Sequence, residues 1–86
     1  MDKRKRFPTL AHLENNEIRL LLKRSTLSRI DRQIAINALC WGMADVDNGA
    51  AVKYDRSTIG RRLRNVIVPE LEWLMEKPNK REKAGA

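Results

Sequence analysis

Apolar residues recur at three- and four-residue spacings along most of the chain, the period of helices packed on a core. From about residue 10 to residue 24 the apolar side is Leu10, Leu13, Ile18, Leu21 and Leu22. Glu14 and Glu17 come early and Arg19 and Lys23 late, which agrees with the helix dipole. Asn15 and Asn16 are weak helix formers and offer an alternative start. Residues 25–28 interrupt the pattern, and Ser28 suits the cap of a helix predicted over 29–41. There Ile30, Ile34, Ala38 and Trp41 share one face, with Ala35 and Leu39 on its flank and Ile36 and Cys40 on another side. A helix apolar over most of its circumference belongs in the middle of a bundle. Gly42 then closes it in the left-handed conformation.

The stretch 43–67, MADVDNGAAVKYDRSTIGRRLRNVI, organises the rest. It reads as a short helix, a corner, and a second helix capped by Asp55, whose carboxylate can accept from a backbone N–H near Thr58. Ile59, Leu63 and Val66 or Ile67 make one apolar stripe. Arg56, Ser57, Gly60, Arg61 and Arg64 lie on the faces away from it. Beyond this helix Val68-Pro69 predicts a break or bend, because a residue before proline resists the α region. Pro69 then opens a final helix with Glu70 and Glu72 in its first turn, and Pro78 stops it. Leu71, Leu74 and Met75, with Trp73 to one side, form a stripe that either packs on the first helix or pairs with a second copy.

The stretch 43–67 resembles the helix-turn-helix of bacterial and phage transcription regulators, most closely that of sigma-factor region 4 and related phage regulators. The resemblance rests on Gly49 at the small position, Val52 at the apolar position, Tyr54 at the corner, Asp55 as cap, Ser57-Thr58-Ile59 opening the recognition helix, and Arg61 and Leu63. It covers about a quarter of the chain in its specific part. Lys53 stands at a turn position usually held by Gly, and Asn48 at a usually apolar one, for which Val46 is expected to supply the contact. The resemblance implies a small all-α helix-turn-helix bundle of about five helices. It also implies a sequence-specific DNA-binding regulator, of phage or mobile-element type, that reads the major groove with helix 56–66.

Composition changes the picture chiefly through charge. Eighteen Lys and Arg against eleven Asp and Glu give a net charge of +7 over 86 residues, which points to a polyanionic partner and to nucleic acid before membrane. The length sets one domain, with a basic arm over 1–8, the helix-turn-helix domain over 9–77 and a basic tail over 78–86. Cys40 stands alone and cannot form an internal disulfide, in keeping with a reducing cytoplasm, and the opening MDKRKRF is not followed by a signal-peptide core. His12, the single histidine, has no partner for acid–base work, and no Cys or His spacing suits zinc. Asp45 and Asp47 lack the later acid of a calcium loop. The reading is therefore of a non-enzyme with no metal and no cofactor.

Within the expected docking geometry, the N-terminal part of the recognition helix meets base edges. Arg56, Ser57, Gly60 and Arg61 are the predicted base readers, with Gly60 allowing close approach. Lys53, Arg62 and Arg64 are predicted to reach phosphates, and Arg29 and Arg32 to clamp the flanking backbone. Leu71, Trp73, Leu74 and Met75 are the candidate face for a homodimer, which would set two recognition helices about 34 Å apart on DNA. The alternative reading is a protein-binding helix-turn-helix module that recruits or inhibits a nucleic-acid enzyme, RNA polymerase or a CRISPR nuclease. Asp45 and Asp47 favour it, because acids near a groove repel phosphate.

Overall fold

The computed structural model describes residues 6–76, and every regular element among them is helical. A short 3-10 turn at Pro8–Leu10 precedes α1 (Asn15–Arg24), α2 (residues 29–40), α3 (Asp45–Val52) and α4 (residues 56–76). The fold is all-α. Lys3, Arg4 and Lys5 of the basic arm, and the tail with Pro78, lie outside the described residues.

Four helices stand where five were expected, because Pro69 does not break the chain. α4 runs as an α-helix over Arg56–Arg62, widens into a π-turn over Leu63–Ile67 and resumes as α over Val68–Glu76. The Val68 N–H donates to the Leu63 carbonyl, five residues back. A proline inside an α-helix lacks the N–H and presses its ring on the carbonyl four residues earlier. Widening the turn just ahead of Pro69 shifts those carbonyls, and Val68 keeps helical angles (φ −63°, ψ −42°). The two predicted helices become one rod.

α1 starts at Asn15, the later of the two predicted starts. The Glu14 N–H donates to Glu17 Oε1 at 2.8 Å, which satisfies one orphan donor of the first turn. Ser28 caps α2 by accepting from the Asp31 N–H at 3.1 Å, and Gly42 after it has φ 70°. α2 also ends in a π-turn, Ile36–Cys40, with Trp41 N–H on the Ile36 carbonyl. Its buried side is Ile34, Ala35, Ala38 and Leu39, whereas Ile30 and Trp41 (64% exposed) stand outside the core. Trp41 lies instead beneath the Arg19 guanidinium, 5.9 Å from the ring centroid.

One core takes side chains from α1, α2 and α4: Ile18, Ile34, Ile59, Leu63, Ile67 and Leu71 are fully buried. Phe7, placed with the arm by its sequence neighbours, is 8% exposed and belongs to this core. Two further bonds fasten α4 to the chain before it. Glu70 accepts from the Thr26 N–H at 3.1 Å, and Glu72 from the Thr9 hydroxyl.

α3 is held differently, since its buried residues are Asn48 and Gly49. Asn48 Nδ2 donates to the Ile34 carbonyl at 3.0 Å and its Oδ1 accepts from Asn37 Nδ2 at 3.1 Å. Gln33 Nε2 extends the chain by donating to Asn37 Oδ1 at 2.9 Å. A buried amide is tolerated when its donors and acceptors are met, and then it fixes one register between helices. Asn48 itself thus fills the place for which Val46 was expected to compensate; Val46 is 58% exposed.

Candidate nucleic-acid interface

The corner between α3 and α4 is built by a few backbone constraints. Lys53 adopts the left-handed conformation (φ 68°, ψ 39°) that Gly usually holds. The Tyr54 N–H returns to the Gly49 carbonyl at 2.9 Å. A Cβ on Gly49 would sit 2.3 Å from the Tyr54 carbonyl oxygen, so only glycine allows the chain to cross there. Asp55 Oδ1 accepts from the Thr58 N–H at 2.8 Å and from the Ser57 hydroxyl at 3.1 Å. Those bonds, Thr58 first and then Ser57, with the Arg61 charge added, hold the Asp55 carboxyl below its ordinary range.

From this cap α4 departs with Ile59, Leu63 and Ile67 inward. At 3.6 residues per turn, Ser57, Arg61 and Arg64 line up on a single outward strip, with the buried Gly60 at its edge. Ser57, Arg61 and Arg64 are exposed along it, and Arg56 is exposed at its N-terminal end. Lys53 is exposed in the corner beside them.

Two predicted contacts are corrected by the packing. Arg62 does not project toward a phosphate. Its Nε donates to Asp31 Oδ1 at 3.0 Å and its Nη2 to Asp31 Oδ2, across the α2–α4 contact. The Asp31 hydrogen bond holds the guanidinium even further above its ordinary pKa, against the desolvation it meets there. Arg62 lies about a quarter-turn round the helix from Arg61, which turns it off the outward strip and onto α2. Gly60 is also not an open site of approach, being buried in the fold. A Cβ there would lie 3.0 Å from Arg64 Nη1 and 3.4 Å from Asp45 Oδ2, so its missing side chain makes room for those two groups.

Arg64, expected at a phosphate, therefore lies back over Gly60 at the edge of the strip. Arg29 is exposed and Arg32 half-buried at the start of α2, on either side of the paired Asp31. The candidate dimer residues are divided. Leu71 and Leu74 are buried in the protein's own core, Met75 is half-buried and Trp73 is exposed. Packing of α4 on α1 uses the stripe that a second copy would have needed.

Arg6 belongs to the stretch expected as a basic arm, but its partner was not legible in the sequence. Its Nη1 donates to Asp45 Oδ1 at 3.0 Å and its Nη2 to Asp45 Oδ2 at 3.3 Å, 39 residues away in the chain. Asp47, the other acid of α3, is exposed. Among the described residues no three His, Cys, Asp or Glu side chains gather as a metal ion would require, and no helix is long and apolar enough to cross a membrane. No protein-family model matches the chain, and its comparison with curated proteins and with solved structures likewise returned no match.

Proposed function

We propose that this protein binds double-stranded DNA in the major groove and acts as a cytoplasmic transcription regulator of phage or mobile-element type. The observation that carries the reading is the outward strip of Ser57, Arg61 and Arg64 on a helix whose opposite side is fully buried. A recognition helix needs this division, with an aliphatic side that fixes its attitude and a donor-rich side that enters the groove. The net charge of +7 supplies long-range capture. Arg56 and Arg61 then read guanine edges through O6 and N7, and Ser57 contacts a base from the first turn. Lys53, Arg29 and Arg32 hold phosphates on either side. Arg62 supports the interface only indirectly, by bracing α4 against α2.

The Arg6–Asp45 pair removes part of the support for the protein-binding alternative, because one of the two acids said to repel phosphate is met by a cation, while Asp47 stays exposed. Selection of bound fragments from random duplex DNA, followed by salt-dependent titration, tests the proposal. Log affinity should fall with log salt by about 0.9 for each phosphate neutralised. Arg61→Ala should relax preference at one position by about 1–3 kcal/mol. A parent protein that shows no duplex affinity at low salt overturns the reading.

A further inference from the structure

The edge of the outward strip carries a cation that is already fixed in place. Asp45 opens α3, and its Oδ2 lies 3.4 Å from the point where a Gly60 Cβ would be, with Arg64 Nη1 at 3.0 Å from the same point. Arg6 closes on this carboxylate end-on through both terminal nitrogens, at 3.0 and 3.3 Å. Its Cζ also lies 5.1 Å from the centroid of the Phe7 ring, which is anchored in the core. An exposed guanidinium ordinarily loses much rotamer freedom on binding a phosphate. Here an acid on one side and a ring on the other have already restricted it.

We infer that Arg6 is a further DNA contact, a pre-set phosphate ligand at the rim of the Ser57–Arg64 strip, and that Asp45 is its positioning residue. The inference rests on the duplex-binding reading. The pair with Asp45 occupies two N–H donors of Arg6, and the remaining donors of the guanidinium are left for a phosphate oxygen. A phosphate rather than a base is the ligand because the contact lies beside the strip and not on it. Asp45 has opposed effects. Its charge disfavours the duplex, while its grip on Arg6 favours it, so the two residues are coupled rather than independent.

A double-mutant cycle reads this coupling. Affinity for a selected duplex and for an unrelated duplex is measured across a salt series for the parent, Arg6→Ala, Asp45→Asn and the double variant. Lys23→Ala serves as a control for the loss of one exposed charge, and thermal melts followed by circular dichroism verify folding. Arg6→Ala should weaken both duplexes alike, by about tenfold, and reduce the salt slope by about 0.9. In the Asp45→Asn background the same change should cost about threefold or less, because an Arg6 without its partner is no longer held. Equal losses in both backgrounds would remove the positioning role of Asp45. A loss no larger than that of Lys23→Ala would remove Arg6 from the interface. If Arg61→Ala impairs binding while Arg6→Ala does not, the inference alone fails; if the parent binds no duplex, the functional proposal fails with it.

Discussion

Asp31 and Arg62 are separated by 31 residues and meet as a two-bond ion pair that locks the start of α2 to the first third of α4. Asp31 is almost completely buried, with 5% of its side chain exposed, while 40% of the Arg62 side chain remains in contact with solvent. The acid therefore depends on its partner more than the base does. Removing Arg62 leaves a carboxylate inside the fold with its main partner gone, and this sets the first prediction.

Arg62→Ala should destabilise the protein by about 2–3 kcal/mol, less than a fully buried pair would lose, because the guanidinium is partly hydrated. Urea unfolding followed by far-ultraviolet circular dichroism measures it. Any loss of duplex binding by this variant should disappear when fraction folded is taken into account. An Arg62→Ala protein of parental stability but impaired binding would restore Arg62 to the interface.

The two glycines of the motif should respond oppositely to alanine. At Gly49 the new methyl meets a backbone oxygen at 2.3 Å, which cannot yield without opening the corner. Gly49→Ala should cost about 1–3 kcal/mol or more by overpacking. At Gly60 the nearest atom is the far end of the Arg64 side chain, which can swing aside. Gly60→Ala should leave stability unchanged or raise it by up to about 1 kcal/mol, since Ala is the better helix former. Thermal melts of the two variants side by side decide the matter, and equal losses would contradict the geometry.

Asp55 makes stability depend on pH in a defined direction. Its carboxyl titrates lower in the folded protein than in the unfolded chain, chiefly through the bonds from Thr58 and Ser57. The stabilisation is therefore full above the ordinary carboxylate range and is lost as pH falls through the lowered value. Asp55→Asn keeps a capping oxygen but cannot titrate, so its melting temperature should fall less steeply with acidification than the parent's. Parallel pH profiles for the two proteins would count against the cap.

The helix ends, the corner before α4 among them, were largely legible in the sequence because their determinants are local. Ser28, Gly42, Lys53 and Asp55 act on neighbours within a few residues, and a stripe such as Ile59, Leu63 and Ile67 announces its own buried side. Partnerships across the fold were not legible. Nothing local separates Arg62 from Arg61, and only the presence of Asp31 on the facing helix decides that one turns inward. Arg6 and Asp45 meet over a similar span. Asn48 looked like a defect in an apolar pattern because its partners, Asn37 and the Ile34 carbonyl, come from another helix. Pro69 read as a stop because proline rules describe a helix of regular pitch, and the wider turn over Leu63–Ile67 relaxes that condition.

The uninterrupted passage of α4 through Pro69 has a mechanical consequence. The strip offered to a ligand and the aliphatic segment seated against α1 are two ends of the same lever. With no loop between them, the seating of Leu71 and Leu74 at the far end acts together with Ile59, Leu63 and the Arg62–Asp31 pair on the angle at which Ser57 and Arg61 are presented. A packing change there, remote from any contact, has a continuous helical path to the strip and is opposed by the hold of Arg62 on Asp31, whereas a two-helix arrangement would have absorbed it at the bend.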